Sequence, residues 1–277
     1  AIDYIRNVGA ARDESKPFAL VVSMNPPHTP YDQFPKRYLK DYEGKPDKDL
    51  LVRPNVDLSG KGAMSKLALN QTRNYFASIT GVDDQFGRIL RALEEEGLKD
   101  NTIVLFTSDH GNCVGTHDVK TKNVHYEESM RVPFLIRWPG NIKPRQDDLL
   151  ISSPDIYPTL LDMMGFASYI PSEVEGTSHA MRMLTGEGSQ PSSQFYTWIE
   201  SSDRSHGRRG IRTLRWKLMI ETAKGKKRTI VLHDLKNDPF ELENIALQHP
   251  EVVDQLIESE LIPWLEKTKD PWISRIR

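Results

Sequence analysis

The chain has 277 residues, of which 38% are hydrophobic and 27% charged, enough apolar mass for one large or two ordinary domains. Its 37 basic and 39 acidic residues give a formal charge of -2 and are spread along the sequence, which excludes a general field for nucleic acid or anionic lipid. The single cysteine, Cys113, excludes an intrachain disulfide framework and a multi-cysteine metal site, and no apolar run reaches the roughly 18 residues of a membrane span.

The opening stretch AIDYIRNVGAARDESKPF has no signal-peptide core, but the chain opens on Ala without Met, so the compartment stays open. FALVVSM (18–24) is a short, nearly continuous apolar run rich in β-branched residues, as expected of a strand buried on both faces, and it stops at NPPHTPY. Tyr75, Ile79, Val82, Phe86, Ile89, Leu90 and Leu93 then recur at helical spacing, with Gly97 as the stop. TIVLFT (102–107) and VPFLIRW (132–138) read as further strands, so the first part is α/β with a largely parallel sheet flanked by helices. SPDIYPTLLDMMG (153–165) predicts a helix with Ser153 as N-cap, Pro154 at the first helical position and Gly165 at the end.

From about residue 190 the texture changes to QFYTWIES, IRTLRWKLMIE and TIVLHDL, strand-like runs joined by short polar turns, which predict an antiparallel sheet. The basic cluster KGKKR (224–228) lies between two such runs and reads as a solvated hairpin turn. The last helix spans PEVVDQLIESELIPWLEK (250–267), with Pro263 marking a kink or break. Two domains are expected, 1–185 as an α/β unit and 186–277 as a smaller α+β subdomain containing the antiparallel sheet.

In open α/β sheets ligands bind beyond the carboxyl ends of the strands. The first strand run delivers His28 there, the second delivers Asp109 and His110, and the loop before the third carries Lys122. Asp109 and His110, adjacent and followed by Gly, are candidate ligands for one ion; calcium or magnesium would need further oxygen donors. Asp83 and Asp84 diverge by about 100° on a helix and read as helix surface. His28, between prolines in PPHTP, is placed for proton donation or hydrogen bonding, with a surface-turn histidine as the plainer alternative. Lys122 is a candidate anion contact, while Lys120 reads as solvated. His117 and His125 read as structural or pocket-edge residues and Cys113 as a loop thiol.

These segments resemble the sulfatase family of the alkaline phosphatase-like superfamily. The resemblance runs through PPHTPY, GRILRALEEEGLKDNTIVLFTSDHG, GTHDVKTKNVHYEESMRVPFLIRWPG, SPDIYPTLLDMMG and IRTLRWKLMIE…LHDLKNDPFELENIA, in order and spacing. It implies that Asp109 and His110 are two of the calcium ligands, that Lys122 contacts the sulfate and that His28 acts on the leaving-group side. It also implies a formylglycine nucleophile, made from a Cys or Ser in a C/S-x-P-x-R motif, and an N-terminal Asp-Asp metal pair. No C/S-x-P-x-R occurs in the 277 residues, and the Asp-Asp pair that should follow the first strand is absent, so both are expected upstream of residue 1. The chain by itself is accordingly expected not to hydrolyse sulfate esters, and a sheet lacking its first strand is expected to expose an apolar face or edge.

The implied substrate is a sulfated small molecule or sulfated glycan. A phosphonate monoester hydrolase or phosphodiesterase of the same superfamily, and a non-catalytic or decayed module binding sulfated ligands, are the alternatives. The loops at 40–62 and 200–210, with His206, Arg208 and Arg209, are where specificity is expected, although exposed arginine in a turn is the commoner role. An upstream signal would direct export to a periplasmic, extracellular or lysosomal-type compartment. Oligomeric state is not legible.

Overall fold

A computed structural model describes residues 1–199 and 203–276. The chain divides into two compact units: one of 1–108, 112–122 and 133–141, the other of 109–111, 123–132 and 142–277.

The first unit contains α1 (Ile2–Ile5), α2 (Asp47–Leu50), α3 (Ala63–Glu95), β1 (Val104–Thr107) and β2 (Phe134–Arg137). The apolar spacing finds the C-terminal half of α3, where Leu93 and Ala92 form a buried cluster with Ile5 and are backed by Ile89 and Phe18. The helix ends in a Schellman pattern, with Leu98 N–H donating to Leu93 O (2.8 Å), Gly97 N–H to Glu94 O (3.1 Å), and Gly97 in the left-handed region at φ 67°. Its start, however, lies well upstream of Tyr75. The buried face there is made by Ser65, Ala68 and Thr72, small residues that do not register as a hydrophobic stripe. They are small because the loop at Gly115 presses on them: a Cβ at that glycine, whose φ is +96°, would stand 2.6 Å from Met64 O and 2.9 Å from Ala68 Cβ. Asp83 and Asp84 lie on the helix surface as expected, Asp84 accepting the Tyr38 hydroxyl at 2.6 Å.

Two expectations about strands need correction in detail. Residues 18–24 form no ladder with other described residues; Phe18 reaches the core, but Val21 is 92% exposed. β-branched composition favours a strand only where a partner supplies the hydrogen bonds. In addition, β1 and β2 pair antiparallel, Val104 opposite Arg137 and Thr107 opposite Phe134. A parallel crossover needs about a dozen residues or more, usually a helix packed on the sheet, and the only α-helix between these strands has four residues.

The second unit contains α4 (Glu127–Met130), α5 (Ser153–Met163), α6 (Ala180–Thr185), β3 (Ser193–Ile199), β4 (Gly207–Thr213), β5 (Trp216–Thr222), β6 (Thr229–Asp234), α7 (Pro250–Leu256), α8 (Ile262–Lys267) and α9 (Ile273–Ile276). β3 to β6 form the expected antiparallel sheet in sequential order. Ile211, Leu218, Ile220 and Leu232 belong to one buried cluster with Val253, Leu261, Leu265 and Trp272 from the C-terminal helical segment. KGKKR is the β5–β6 turn, with Gly225 at φ 73°. The N-cap of α5 is Ser152 rather than Ser153, because Asp155 at the third helical position accepts the Ser152 N–H at 2.9 Å in a capping box. The predicted break at Pro263 takes the form of a π-helical turn, Ile257–Leu261, between α7 and α8. Proline has no N–H and its ring crowds the carbonyl four residues back, so the helix widens just ahead of it.

Candidate functional site

Asp109, His110 and Gly111 belong to the second unit and have no regular secondary structure. The His110 backbone N–H donates to Asp109 Oδ1 at 2.9 Å, and His110 Nδ1 lies 2.9 Å from Gly111 O. A carbonyl only accepts, so Nδ1 is the donor in that contact, and the second ring nitrogen is Nε2. That nitrogen stands 3.1 Å from Asp109 Oδ2, on a carboxylate whose side chain is 79% exposed. A carboxylate oxygen and an imidazole nitrogen therefore lie side by side, with the ring oriented by a backbone carbonyl, a support that metal-ligating histidines also have. This donor set fits two of the ligands of a divalent ion, and calcium takes six to eight.

Gly111 is what lets the turn close on its support. Its N–H donates to Ser129 O at 2.8 Å, and a Cβ at this position would stand 2.0 Å from Glu128 O.

His28 and Lys122 belong to the first unit. His28 is exposed; its Nδ1–H donates to Thr29 O at 2.8 Å, and its backbone N–H to Asn25 O at 3.0 Å. The following residue but two, Tyr31, is buried, stacks edge-on against Tyr75 at 5.6 Å, and accepts from Asn112 Nδ2 at 3.0 Å. Burial pushes the Tyr75 hydroxyl up to about 12. The next residue, Cys113, donates its N–H to Thr121 O at 2.6 Å, beside Lys122. Consecutive residues, Asn112 and Cys113, thus pin both the His28 loop and the Lys122 segment. Lys122 is half-buried and Lys120 exposed.

The remaining candidates have contacts of their own. His117 N–H donates to Asn55 O and its Nε2 accepts from Asn55 Nδ2, both at 2.8 Å. His125 is buried and stacks on His233 at 5.6 Å. Residues 200–202 of the proposed specificity loop lie outside the described residues. Arg208 and Arg209 are on β4 rather than in a turn: Arg208 pairs with Glu221 at 2.9 Å over the Trp198 ring, and Arg209 is fully buried against Asp270 at 2.7 Å. Arg209 is therefore not available to a sugar.

His206 sits in a tight polar turn. Asp203 Oδ1 accepts the Ser205 hydroxyl at 2.6 Å and the Ser205 N–H at 2.9 Å, while Oδ2 accepts His206 Nδ1–H at 2.7 Å. These donors, the serine hydroxyl foremost, hold the Asp203 carboxyl down to about 2. A folded-state value below the ordinary one stabilises the turn at pH above the ordinary aspartate value of about 4 and loses that stabilisation as pH falls toward about 2. Carboxyl-carbon NMR should find Asp203 ionised well below pH 4 and Ser205→Ala should raise its midpoint; an ordinary midpoint near 4 in the unmodified chain refutes the turn.

One group of residues escaped the sequence reading. Lys217 on β5, buried, places Nζ 2.7 Å from Glu127 Oε1, 2.7 Å from Glu241 Oε1 and 2.8 Å from His125 O. Arg212 adds a contact to Glu127 at 3.5 Å, and Glu127 N–H donates to Glu241 Oε2 at 2.6 Å. Burial pushes the Glu127 carboxyl up, and the Lys217 and Arg212 charges outweigh it, holding it below the ordinary range. For the more deeply buried Glu241, desolvation wins and the carboxyl is held above that range.

The sulfatase family model matches residues 1–166, more than half of the chain, and the model for the C-terminal part of N-sulphoglucosamine sulphohydrolase matches 115–268. The chain belongs to the sulfatase family. That family is part of the alkaline phosphatase-like superfamily, so the mixed helix-and-sheet class read from the sequence stands. An endo-4-O-sulfatase of Bacteroides thetaiotaomicron is 40% identical over 98% of this chain and 56% of its own length. The crystal structure of a Bacteroides fragilis protein called a sulfatase, yidJ, superposes with a TM-score of 0.93 at 42% identity, over all of this chain and 59% of that one. A third structure, solved with its substrate D-glucosamine-2-N,6-O-disulfate, gives a TM-score of 0.66 at 30% identity over 78% of this chain and 44% of that one. This sulfatase-family chain thus spans little more than half the length of the endo-4-O-sulfatase and of the Bacteroides fragilis protein.

Proposed function

We propose that the chain serves a sulfuric ester hydrolase that removes sulfate from a sulfated glycan, with Asp109 and His110 as calcium ligands, Lys122 against the sulfate and His28 on the leaving-group side. The observation that carries this is the Asp109–His110 pair, in which the Nδ1–H···O contact to Gly111 orients the ring and Nε2 stands 3.1 Å from Asp109 Oδ2. When bound, calcium supplies positive charge beside the sulfate oxygens, where negative charge gathers as the ester bond breaks. The Lys122 ammonium adds a second cation for the same anion, and it comes from a segment held by the Cys113 N–H···O contact to Thr121. His28 keeps Nδ1 engaged with Thr29 O, so Nε2 is the nitrogen left for the departing oxygen, to which the imidazolium form would pass its proton. The sulfated-glycan substrate class is supported by the relative named an endo-4-O-sulfatase and by the glucosamine-disulfate complex.

The test is sulfate release by the native protein from a 4-O-sulfated oligosaccharide, a 6-O-sulfated glucosamine, an aryl sulfate and a phosphonate monoester, each with calcium and then magnesium. Hydrolysis should be fastest on a glycan sulfate, and Asp109→Asn should slow it by about 100-fold or more, the scale on which preorganised charge acts. Preference for the phosphonate ester, or Asp109→Asn turning over at the unmodified rate, overturns the reading.

A further inference from the structure

The Asp109–Gly111 turn has no regular structure of its own, so its shape is set by what it rests on. It rests on α4: Gly111 donates to Ser129 O at 2.8 Å and lies flush against Glu128 O, leaving no room for a Cβ. Yet α4 has four residues, too short to hold itself. Its first residue, Glu127, is fixed at both ends. The side chain meets Lys217 Nζ at 2.7 Å, and the backbone N–H meets Glu241 Oε2 at 2.6 Å; Lys217 Nζ closes the triangle on Glu241 Oε1 and also holds the His125 carbonyl just ahead of the helix.

We propose that Lys217, with Glu127 and Glu241, is a positioning set that holds the Asp109–His110 turn in metal-binding geometry, a proposal that rests on the reading of that turn as a metal site. A buried ion cluster is a poor way to stabilise a sheet, since apolar side chains of similar volume commonly do as well or better. Lys217 and Met219 lie on one face of β5, while Leu218 and Ile220 on the other already belong to the apolar core. What directional charge adds is a fixed place for a segment that has neither length nor apolar mass to fix itself. The order of support runs from a central strand, through Lys217, to Glu127, to the Glu128 and Ser129 carbonyls, to Gly111, and through the Gly111 carbonyl to His110 Nδ1. Lys217 Nζ meets Glu127, Glu241 and the His125 carbonyl and not the turn itself, so Lys217 acts through other residues.

The experiment compares Lys217→Met with Leu232→Ala, a substitution in the apolar cluster that contains Leu218 and Ile220 and serves as a control for loss of stability alone. Two quantities are read in each variant: hydrogen exchange of the Gly111 amide in the absence of metal, and the calcium dissociation constant by calorimetry. In Lys217→Met the Gly111 amide should exchange faster and calcium should bind about 10-fold or more weakly, the range found when groups supporting a metal ligand are removed. In Leu232→Ala the thermal midpoint should fall while both readouts stay within about 2-fold of the unmodified chain. Should Lys217→Met not fold, Glu241→Gln, which keeps the shape and removes one charge, gives the same two readouts with smaller factors. Gly111 exchange at the unmodified rate in the Lys217 or Glu241 variant, or an equal acceleration in Leu232→Ala, overturns the positioning role. All variants are made in the native protein; an unmodified native protein that fails to take up calcium overturns the metal reading instead, and the Gly111 amide still decides between a positioning set and a purely structural one.

Discussion

Replacing Arg209 with leucine should cost the second unit about 3–5 kcal/mol, a large part of the 5–15 kcal/mol by which a domain is normally stable. The guanidinium is fully buried. Its Nε donates to Asp270 Oδ2 at 2.7 Å, Nη1 to the carbonyls of Arg208 (3.0 Å) and Trp198 (3.3 Å), and Nη2 to that of Arg204 (3.3 Å), with the Trp272 ring 4.8 Å from its centre. Leucine removes all of this and strands a carboxylate that is itself almost completely buried. Urea denaturation followed by tryptophan fluorescence measures the loss. The paired change Arg209→Leu with Asp270→Leu should recover much of it, because the cost lies chiefly in leaving one charge behind. Arg208→Ala, whose ion pair with Glu221 is partly exposed, should cost only about 1 kcal/mol or less. A loss below about 1 kcal/mol for Arg209→Leu would mean that the site relaxes to admit water.

The second large effect is expected at Gly111. Alanine there would put a Cβ 2.0 Å from Glu128 O, a backbone atom that has no flexible end to swing away. Either α4 or the Asp109–His110 turn must shift, and the turn is the part without regular hydrogen bonding. Overpacking of this kind typically costs about 1–3 kcal/mol. The larger consequence is for the metal, since moving Gly111 moves the carbonyl that orients the His110 ring. Calcium affinity measured by calorimetry should fall by about 10-fold or more while the circular dichroism of the antiparallel sheet is retained. Unchanged affinity would show that the turn tolerates displacement and that Gly111 is only a space filler.

The hairpins of the second unit were legible because they are local: period-two apolar runs, polar turns and Gly225 all lie within a few residues of one another. The helix ends were legible to within a residue or two where glycine or a serine followed by proline marks them, as at Gly97 and at Ser153 and Pro154. The first half of α3 was not, since Ser65, Ala68 and Thr72 are buried for their smallness rather than their hydrophobicity. The direction of β1 against β2 was missed because the βαβ pattern presumes a crossover helix that the intervening residues do not form. Within the site, Asp109 and His110 announced themselves by adjacency and by the glycine that follows. Lys217 left a weaker trace: a lysine inside the apolar run WKLMI, which demands a buried counter-charge without saying where in the sequence it lies. Its partners Glu127 and Glu241 are far away along the chain. Arg209 misled for the same reason, because Asp270, the residue that accounts for its burial, is 61 positions on.

Cys113 gives the molecule a built-in clock. It is the chain's only thiol, it is buried in the first unit, and its backbone is tied to Thr121 next to Lys122. An alkylating reagent reaches such a sulfur only through momentary opening of the loop, so its labelling rate, divided by that of an open thiol, is the fraction of time the Lys122 segment spends undone. The second unit holds no cysteine and is silent to the same reagent, which makes the breathing of one half of the chain measurable without a tag and without interference from the other.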